Sequence, residues 1–370
     1  MNIEQRRLLL QGGLFLATVV TTTIAGAEWA FAKSIFMPGY TWQDFFSGFQ
    51  FSLPFLLILT VHEFGHYFTA RYHRVGVTLP YYIPLPPLPF SFGTLGALIR
   101  LKTRPYSKKQ NFDIGIAGPL AGFAMALIVL AYGFATLPEP EYIFQIHPEY
   151  KQYGLDYAET VYKNQPENIL DIVLGKNLLF MVFERFVGDP ARIPNAHEMM
   201  HYPVLLAGFL SLVFTSINLL PVGQLDGGHV IYGLFGFKTH RIIATICFIG
   251  LLLYSGLGAF NVHDPNADLH IWIPMSAIFL YLVLGGLGLS KQDTLMYALI
   301  ILAFLLLMSW FFPTITGYSG WLLFVFMLGR VIGIQHPPSE IEEPLDEKRV
   351  LLGWLALAIF IVSFSPAPIG

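Results

Sequence analysis

The sequence predicts an all-α polytopic membrane protein with seven to nine transmembrane helices and one membrane-associated β-hairpin or loop. Three observations predict it. Hydrophobic residues make up 55% of the 370-residue chain and charged residues only 12%, about half the charge of a soluble domain. Mean hydropathy is +0.59. Apolar runs long enough to cross a bilayer, which takes about 20 helical residues, recur along the whole chain. A net charge of −3 and the lack of any basic domain give no reason to expect nucleic-acid binding. The single Cys247 excludes an intramolecular disulfide and a cysteine-based zinc site.

The expected spans are 8–31, 50–71, 112–137, 204–236, 241–262, 271–289, 294–312, 319–335 and 350–365. The first is too long for a signal-peptide core and lacks a clean cleavage site, so it reads as a retained span, with a signal peptide cut near Ala25-Gly26-Ala27 as the alternative. The fourth is too long for one straight crossing, and Pro221, Gly223, Gly227 and Gly228 break it. The eighth and ninth are short enough to be re-entrant.

Loop charge sets the orientation. Residues 71–111 hold seven Lys and Arg and no acidic residue, whereas 138–200 hold ten acidic and five basic residues. Nine spans with the N-terminus in the cytoplasm place the basic clusters inside and the acidic loop outside. In the outer loop, 168–188 has an apolar face and reads as an interfacial helix. In the basic loop, Pro80, Pro84, Pro86, Pro87 and Pro89 forbid a regular helix. Phe92 to Leu101 can then form an edge strand or hairpin dipping into the bilayer, or a loop lying on its surface. The third span carries Gly115, Gly118 and Gly122 at helical spacing, which reads as a close-packing face.

The chemistry is concentrated in His62-Glu63-Phe64-Gly65-His66, inside the apolar run 50–72. Two histidines four apart share a helix face, so both imidazoles can bind one zinc with the glutamate beside them. Two histidines and a carboxylate in hydrocarbon cost several kcal/mol unless something compensates, and a metal does so directly. The plain alternative is an interfacial helix end that carries polar residues. On the expected topology the motif lies roughly 10–15 Å from the cytoplasmic helix end, at about 1.5 Å per residue.

Zinc needs a further protein ligand and an open position. Asp226, in the broken segment 218–229, is the best candidate. Taken alone it reads equally well as the N-cap of the next helix; beside a motif in need of a ligand, metal binding is the stronger reading. His229 is either a second candidate ligand or, preferably, a second-layer or solvent-facing histidine. A second HExxH, His197-Glu198-Met199-Met200-His201, has no Asp-Gly partner on its side of the membrane and reads as a chance match without catalysis.

HEFGH in an early span, with Asn218-Leu-Leu-Pro-Val-Gly-Gln-Leu-Asp226-Gly-Gly in a later one, resembles the site-2 protease family of intramembrane zinc metalloproteases. Phe92-Gly93-Thr94-Leu95-Gly96-Ala97 and Ala117-Gly118-Pro119-Leu120-Ala121-Gly122 match further. The Gln-Leu-Asp-Gly-Gly wording and the short outer loop resemble the PDZ-less group with chloroplast and cyanobacterial members. The match covers about residues 50–235. The resemblance implies that His62, His66 and Asp226 bind one zinc per chain and that Glu63 is the general base. It implies that Asn218 contacts substrate, and it supports Phe92, Gly93, Thr94, Leu95 and Gly96 as a membrane-associated strand that binds substrate.

The expected organisation is an N-terminal span and outer loop (1–49), a catalytic membrane core (50–236) with an outer insert (138–200), and a C-terminal bundle (237–370). The expected function is hydrolysis of transmembrane protein or peptide substrates in the lipid bilayer, for regulated proteolysis or clearance of signal-peptide remnants. The expected location is a bacterial inner or plasma membrane, with the site toward the cytoplasm. Competing classes are a metal-dependent hydrolase of a lipid or prenylated substrate, a transporter, and an inactive relative used for binding.

Overall fold

A computed structural model of the chain describes residues 2–88, 91–163, 172–259, 261–264 and 268–370. Six helices among these are long and apolar enough to cross a membrane: Ile3–Phe31, Trp42–Tyr72, Lys108–Ala135, Asp226–Gly256, Leu269–Leu287 and Lys291–Phe311. Pro203–Asn218 and Trp321–Ile332 are shorter apolar helices. The chain is a polytopic integral membrane protein. The expected range of seven to nine spans is therefore reached only by counting helices too short for a simple crossing.

The chain divides into two compact units: residues 1–104, 117–217 and 358–370, and residues 105–116 and 218–357. In the first unit, helix α1 (Ile3–Phe31) opens on a capping box in which Asn2 and Gln5 exchange hydrogen bonds. These satisfy two amides that a helix start leaves without partners. A short helix α2 (Trp42–Ser47), capped by Thr41, leads into α3 (Phe49–Tyr72), which carries the HEFGH motif. Strands β1 (Tyr81–Pro84) and β2 (Thr94–Leu98) follow as an antiparallel hairpin pairing Tyr81 with Leu98 and Tyr82 with Ala97. Of the strand or hairpin expected over Phe92 to Leu101, β2 falls in that stretch, whereas its partner β1 lies within the proline run, between Pro80 and Pro86, because proline forbids a helix there but not extended backbone. Pro89, the last of those prolines, lies outside the described residues.

The hairpin is fastened to both neighbouring helices. Gln11 of α1 donates to the Leu79 carbonyl at 2.6 Å. Thr60 of α3 and the Tyr82 hydroxyl are 2.8 Å apart. Trp29 of α1 donates to the Ser91 carbonyl at 3.1 Å and stacks on Phe92. Gly93 has φ +77° and sits against the α1 backbone, where a Cβ would overlap Thr21.

Helix α4 (Lys108–Ala135) comes next; from Ala117 onward it belongs to the first unit. Among the described residues of the stretch 138–200, three short α-helices follow: α5 (Ile143–Ile146), α6 (Tyr157–Val161) and α7 (Leu178–Phe186). Residues 168–171 of the expected interfacial helix lie outside the described residues. The observed helix begins only at Leu178, with Asn177 as its cap. It buries Phe180 and leaves Met181, Val182 and Phe186 exposed. Helix α8 (Pro203–Asn218) runs through the core of this unit, which is formed by Phe51, Phe55, Leu130, Phe134, Phe209 and their neighbours. Within a bilayer these side chains hold the helices together by close packing rather than by removal from water.

In the second unit, helix α9 (Asp226–Gly256) is followed by α10 (Leu269–Leu284), α11 (Lys291–Phe311), α12 (Trp321–Met327) and α13 (Glu347–Ser363), the last ending in the first unit. The expected fourth span is two helices. The chain breaks over 219–225 and restarts at Asp226, whereas the boundary expected near 236 is a kink at Gly236 (φ 78°, ψ 175°). Proline and glycine mark the break, but a positive-φ glycine inside a hydrophobic run gives no comparable signal.

Candidate active site

His62, Glu63 and His66 are 5%, 4% and 7% exposed on α3. One helical turn brings the imidazoles onto one face. Their Nε2 atoms are 3.1 Å apart, with ring planes at 75°. A Glu63 carboxylate oxygen lies 3.9 Å from His62 Nε2.

Space for these rings comes from α4. A Cβ on Gly118 would overlap the His66 ring, and one on Gly122 would approach His62 Cβ to 2.9 Å. Sequence reasoning assigned these glycines to close helix packing. The structure adds that the space they leave is filled by the two histidine rings.

The donor set suits zinc. Two nitrogens on a tetrahedral ion at about 2.0–2.1 Å stand about 3.3 Å apart, close to the observed 3.1 Å. Two unprotonated imidazole nitrogens facing each other at that distance repel unless a cation or a proton lies between them.

In the second unit, Asn218 follows the last buried turn of α8 and is half-buried. Asp226 is the first residue of α9, and the cap is Leu225, which makes no side-chain cap bond. The N-cap alternative for Asp226 is therefore not what is observed. Its carboxylate sits in the first turn, where the helix dipole favours negative charge.

His229, one turn later, is held from a direction the sequence did not reveal. Its Nδ1 lies 2.8 Å from Nε2 of His336, whose own Nδ1 lies 2.6 Å from the Pro337 carbonyl. That carbonyl only accepts, so His336 Nδ1 carries the proton and His229 donates to Nε2. Tyr232 stacks on His336 and bonds Glu342. Burial, opposed by Pro337 and Glu342, pushes the His336 imidazole below its usual range. His336 lies 107 residues from His229, and no local pattern links the two.

Residues 50–257, more than half of the chain, match the model of peptidase family M50. The chain belongs to peptidase family M50, the site-2 protease family. A rice protein (Oryza sativa subsp. japonica) named probable zinc metalloprotease EGY1, chloroplastic, is 32% identical over 210 residues, which is 57% of this chain and 31% of that protein. The Arabidopsis thaliana protein of the same name is 30% identical over 210 residues, 57% of this chain and 33% of that one. A rice protein (Oryza sativa subsp. indica) named probable zinc metalloprotease EGY3, chloroplastic, is 27% identical over 303 residues, 79% of this chain and 46% of that one. The chain spans about a third of the length of the two EGY1 proteins. No solved structure matches it. The relatives' names place them in chloroplasts, so they lend nothing to the bacterial inner or plasma membrane expected from the sequence.

Proposed function

We propose that this M50 chain is an intramembrane zinc metalloendopeptidase that hydrolyses membrane-protein substrates within or near the bilayer. The observation that carries the reading is the buried His62–His66 pair, 3.1 Å between Nε2 atoms, with Glu63 beside it in a membrane-spanning helix. His62, His66 and Asp226 would hold one zinc ion. Bound zinc supplies a Lewis acid that activates water and polarises a carbonyl.

Glu63 takes the proton of the attacking water and returns it to the leaving amine. Burial of Glu63 at 4% exposure keeps bulk water from competing for that proton. The Asn218 amide holds the substrate backbone or the developing oxyanion. A helical substrate hides its carbonyls, so it must first become extended. Strand β2, with Leu95 54% exposed and, among the described residues, pairing on one side only, offers an edge for such a strand. Thr94, Leu95 and Gly96 lie on that strand. Phe92 and Gly93 precede it and anchor it to α1 through the Trp29 stack and the Thr21 hydrogen bond.

The basic loop 71–111 follows directly on α3, and the positive-inside rule puts it and the site mouth on the cytoplasmic side. Membrane-protein substrates cut on that side fit the release of a regulator or the removal of signal-peptide remnants.

Quantitative proteomics of membrane fractions tests the reading. Cells carrying Glu63→Gln should accumulate uncut membrane proteins that cells with the native chain process. An unchanged set of cleavage products in Glu63→Gln cells would overturn it.

A further inference from the structure

The second HExxH is not an α-helical motif. Residues Ala196–His201 form a 3-10 turn capped by Asn195. In a 3-10 helix residues three apart eclipse, so Glu198 and His201 point the same way. His197 turns aside and stacks flat on Tyr162, with centroids 4.0 Å apart.

A third residue comes from 54 positions upstream. His147 Nε2 lies 3.2 Å from His201 Nε2. A Glu198 carboxylate oxygen lies 3.6 Å from His201 Nε2 and 3.9 Å from His147 Nε2. The three ligand atoms all lie within 4.8 Å of one another. The side chains of Glu198 and His201 are 1% and 9% exposed, and that of His147 is 23% exposed.

Hydrogen bonds outside the trio fix what each group presents. His201 Nδ1 lies 3.0 Å from the Ala30 carbonyl. A carbonyl only accepts, so Nδ1 carries the proton and Nε2 presents a lone pair. His147 Nδ1 lies 3.0 Å from the Glu149 carboxylate, which imposes the same tautomer. Tyr162 donates to the other oxygen of Glu198. Two imidazole lone pairs and a carboxylate oxygen therefore converge on one point. Metal-binding histidines are oriented by just such outer carbonyl and carboxylate partners.

We propose that His147, Glu198 and His201 form a second metal site, in the outer loop, that binds zinc. Two imidazoles and a carboxylate match zinc chemistry, and the partly exposed His147 side leaves room for a water as fourth ligand. The ion joins the segment after α5 to the turn before α8. Through the His201–Ala30 hydrogen bond it also ties that turn to the C-terminal end of α1. It closes a loop of 54 residues, and cross-links over long loops restrict the unfolded chain most. The site is a clip for the loop between α5 and α8.

Zinc content of the full chain, purified in detergent and reconstituted with zinc alone, tests this independently of any cleavage assay. The native chain should hold two zinc ions. His62→Ala/His66→Ala should hold one, with X-ray absorption showing imidazole scattering around it. Adding His147→Ala should remove that ion while circular dichroism keeps its helical signal. Glu198→Gln, nearly equal in shape, serves as the second variant in place of His147→Ala and should weaken zinc binding at least tenfold. The proposal is overturned if His62→Ala/His66→Ala binds no zinc. It is equally overturned if a remaining ion is indifferent to both outer-loop variants.

Discussion

Gly118 lies so close to His66 that a single methyl group on it would overlap the imidazole ring. The position of a helix-packing glycine and that of a candidate zinc-binding histidine are thus one constraint. Overpacking of this kind costs about 1–3 kcal/mol, and relief requires the ring or its helix to shift from its present place.

Gly118→Ala should therefore weaken zinc binding by tenfold or more, equivalent to at least about 1.4 kcal/mol, with little loss of helix. Competition with a chelator of known affinity measures it. Gly12→Ala is the control, because nothing lies within 4 Å of a Cβ there. Equal affinities of Gly118→Ala and the native chain would show that the ring position is not set by this contact.

Leu95→Pro removes a main-chain donor from β2, and proline is tolerated in strands only where no such donor is used. Cleavage should fall sharply while zinc content stays unchanged. Normal cleavage would reduce the hairpin to a surface element without a role in holding substrate.

Sidedness is open to cysteine labelling in a Cys247→Ser background. Lys102, exposed in the basic loop 71–111, is the probe for the inner side. Glu159, with its side chain 75% exposed, reports the outer loop. An impermeant reagent added outside intact cells should label Glu159→Cys and spare Lys102→Cys. The reverse pattern would invert the orientation.

The long spans, strand β2 and the HEFGH helix were legible because each rests on local pattern, whereas the pairing of β2 with Tyr81–Pro84 was not. Apolar runs, a proline cluster and a four-residue histidine spacing lie within one element. What was not legible depends on residues far apart in the chain. Gly118 and Gly122 show a helical small-residue stripe, but not that His66 and His62 fill the space it leaves. His229 gives no sign of its bond to His336, and His201 none of its approach to His147. The second HExxH takes its local shape for a related reason. Its four-residue spacing assumes an α-helix, and the chain forms a 3-10 turn there. That turn selects Glu198 and His201 and discards His197.

Arg349 grips Asp113 with a two-pronged contact of 2.7 and 2.8 Å, and the Asp113 side chain is 14% exposed. Arg349→Met takes the guanidinium from a mostly buried carboxylate and should destabilise the second unit by about 1–3 kcal/mol. Arg349→Lys keeps the charge but loses the fork, so it should fall between. Thermal unfolding in detergent measures both. Equal stability of Arg349→Met and the native chain would show that the pair contributes nothing.

Zinc content of two variants in a His147→Ala background tests the central claim most directly, because that background leaves only the catalytic ion to count. Glu63→Gln should keep one zinc ion per chain, since Glu63 is assigned to proton transfer and not to the metal. Asp226→Ala should lose it, since His62 and His66 alone provide only two protein ligands. Full zinc occupancy in Asp226→Ala, or loss of zinc in Glu63→Gln, would contradict the assignment.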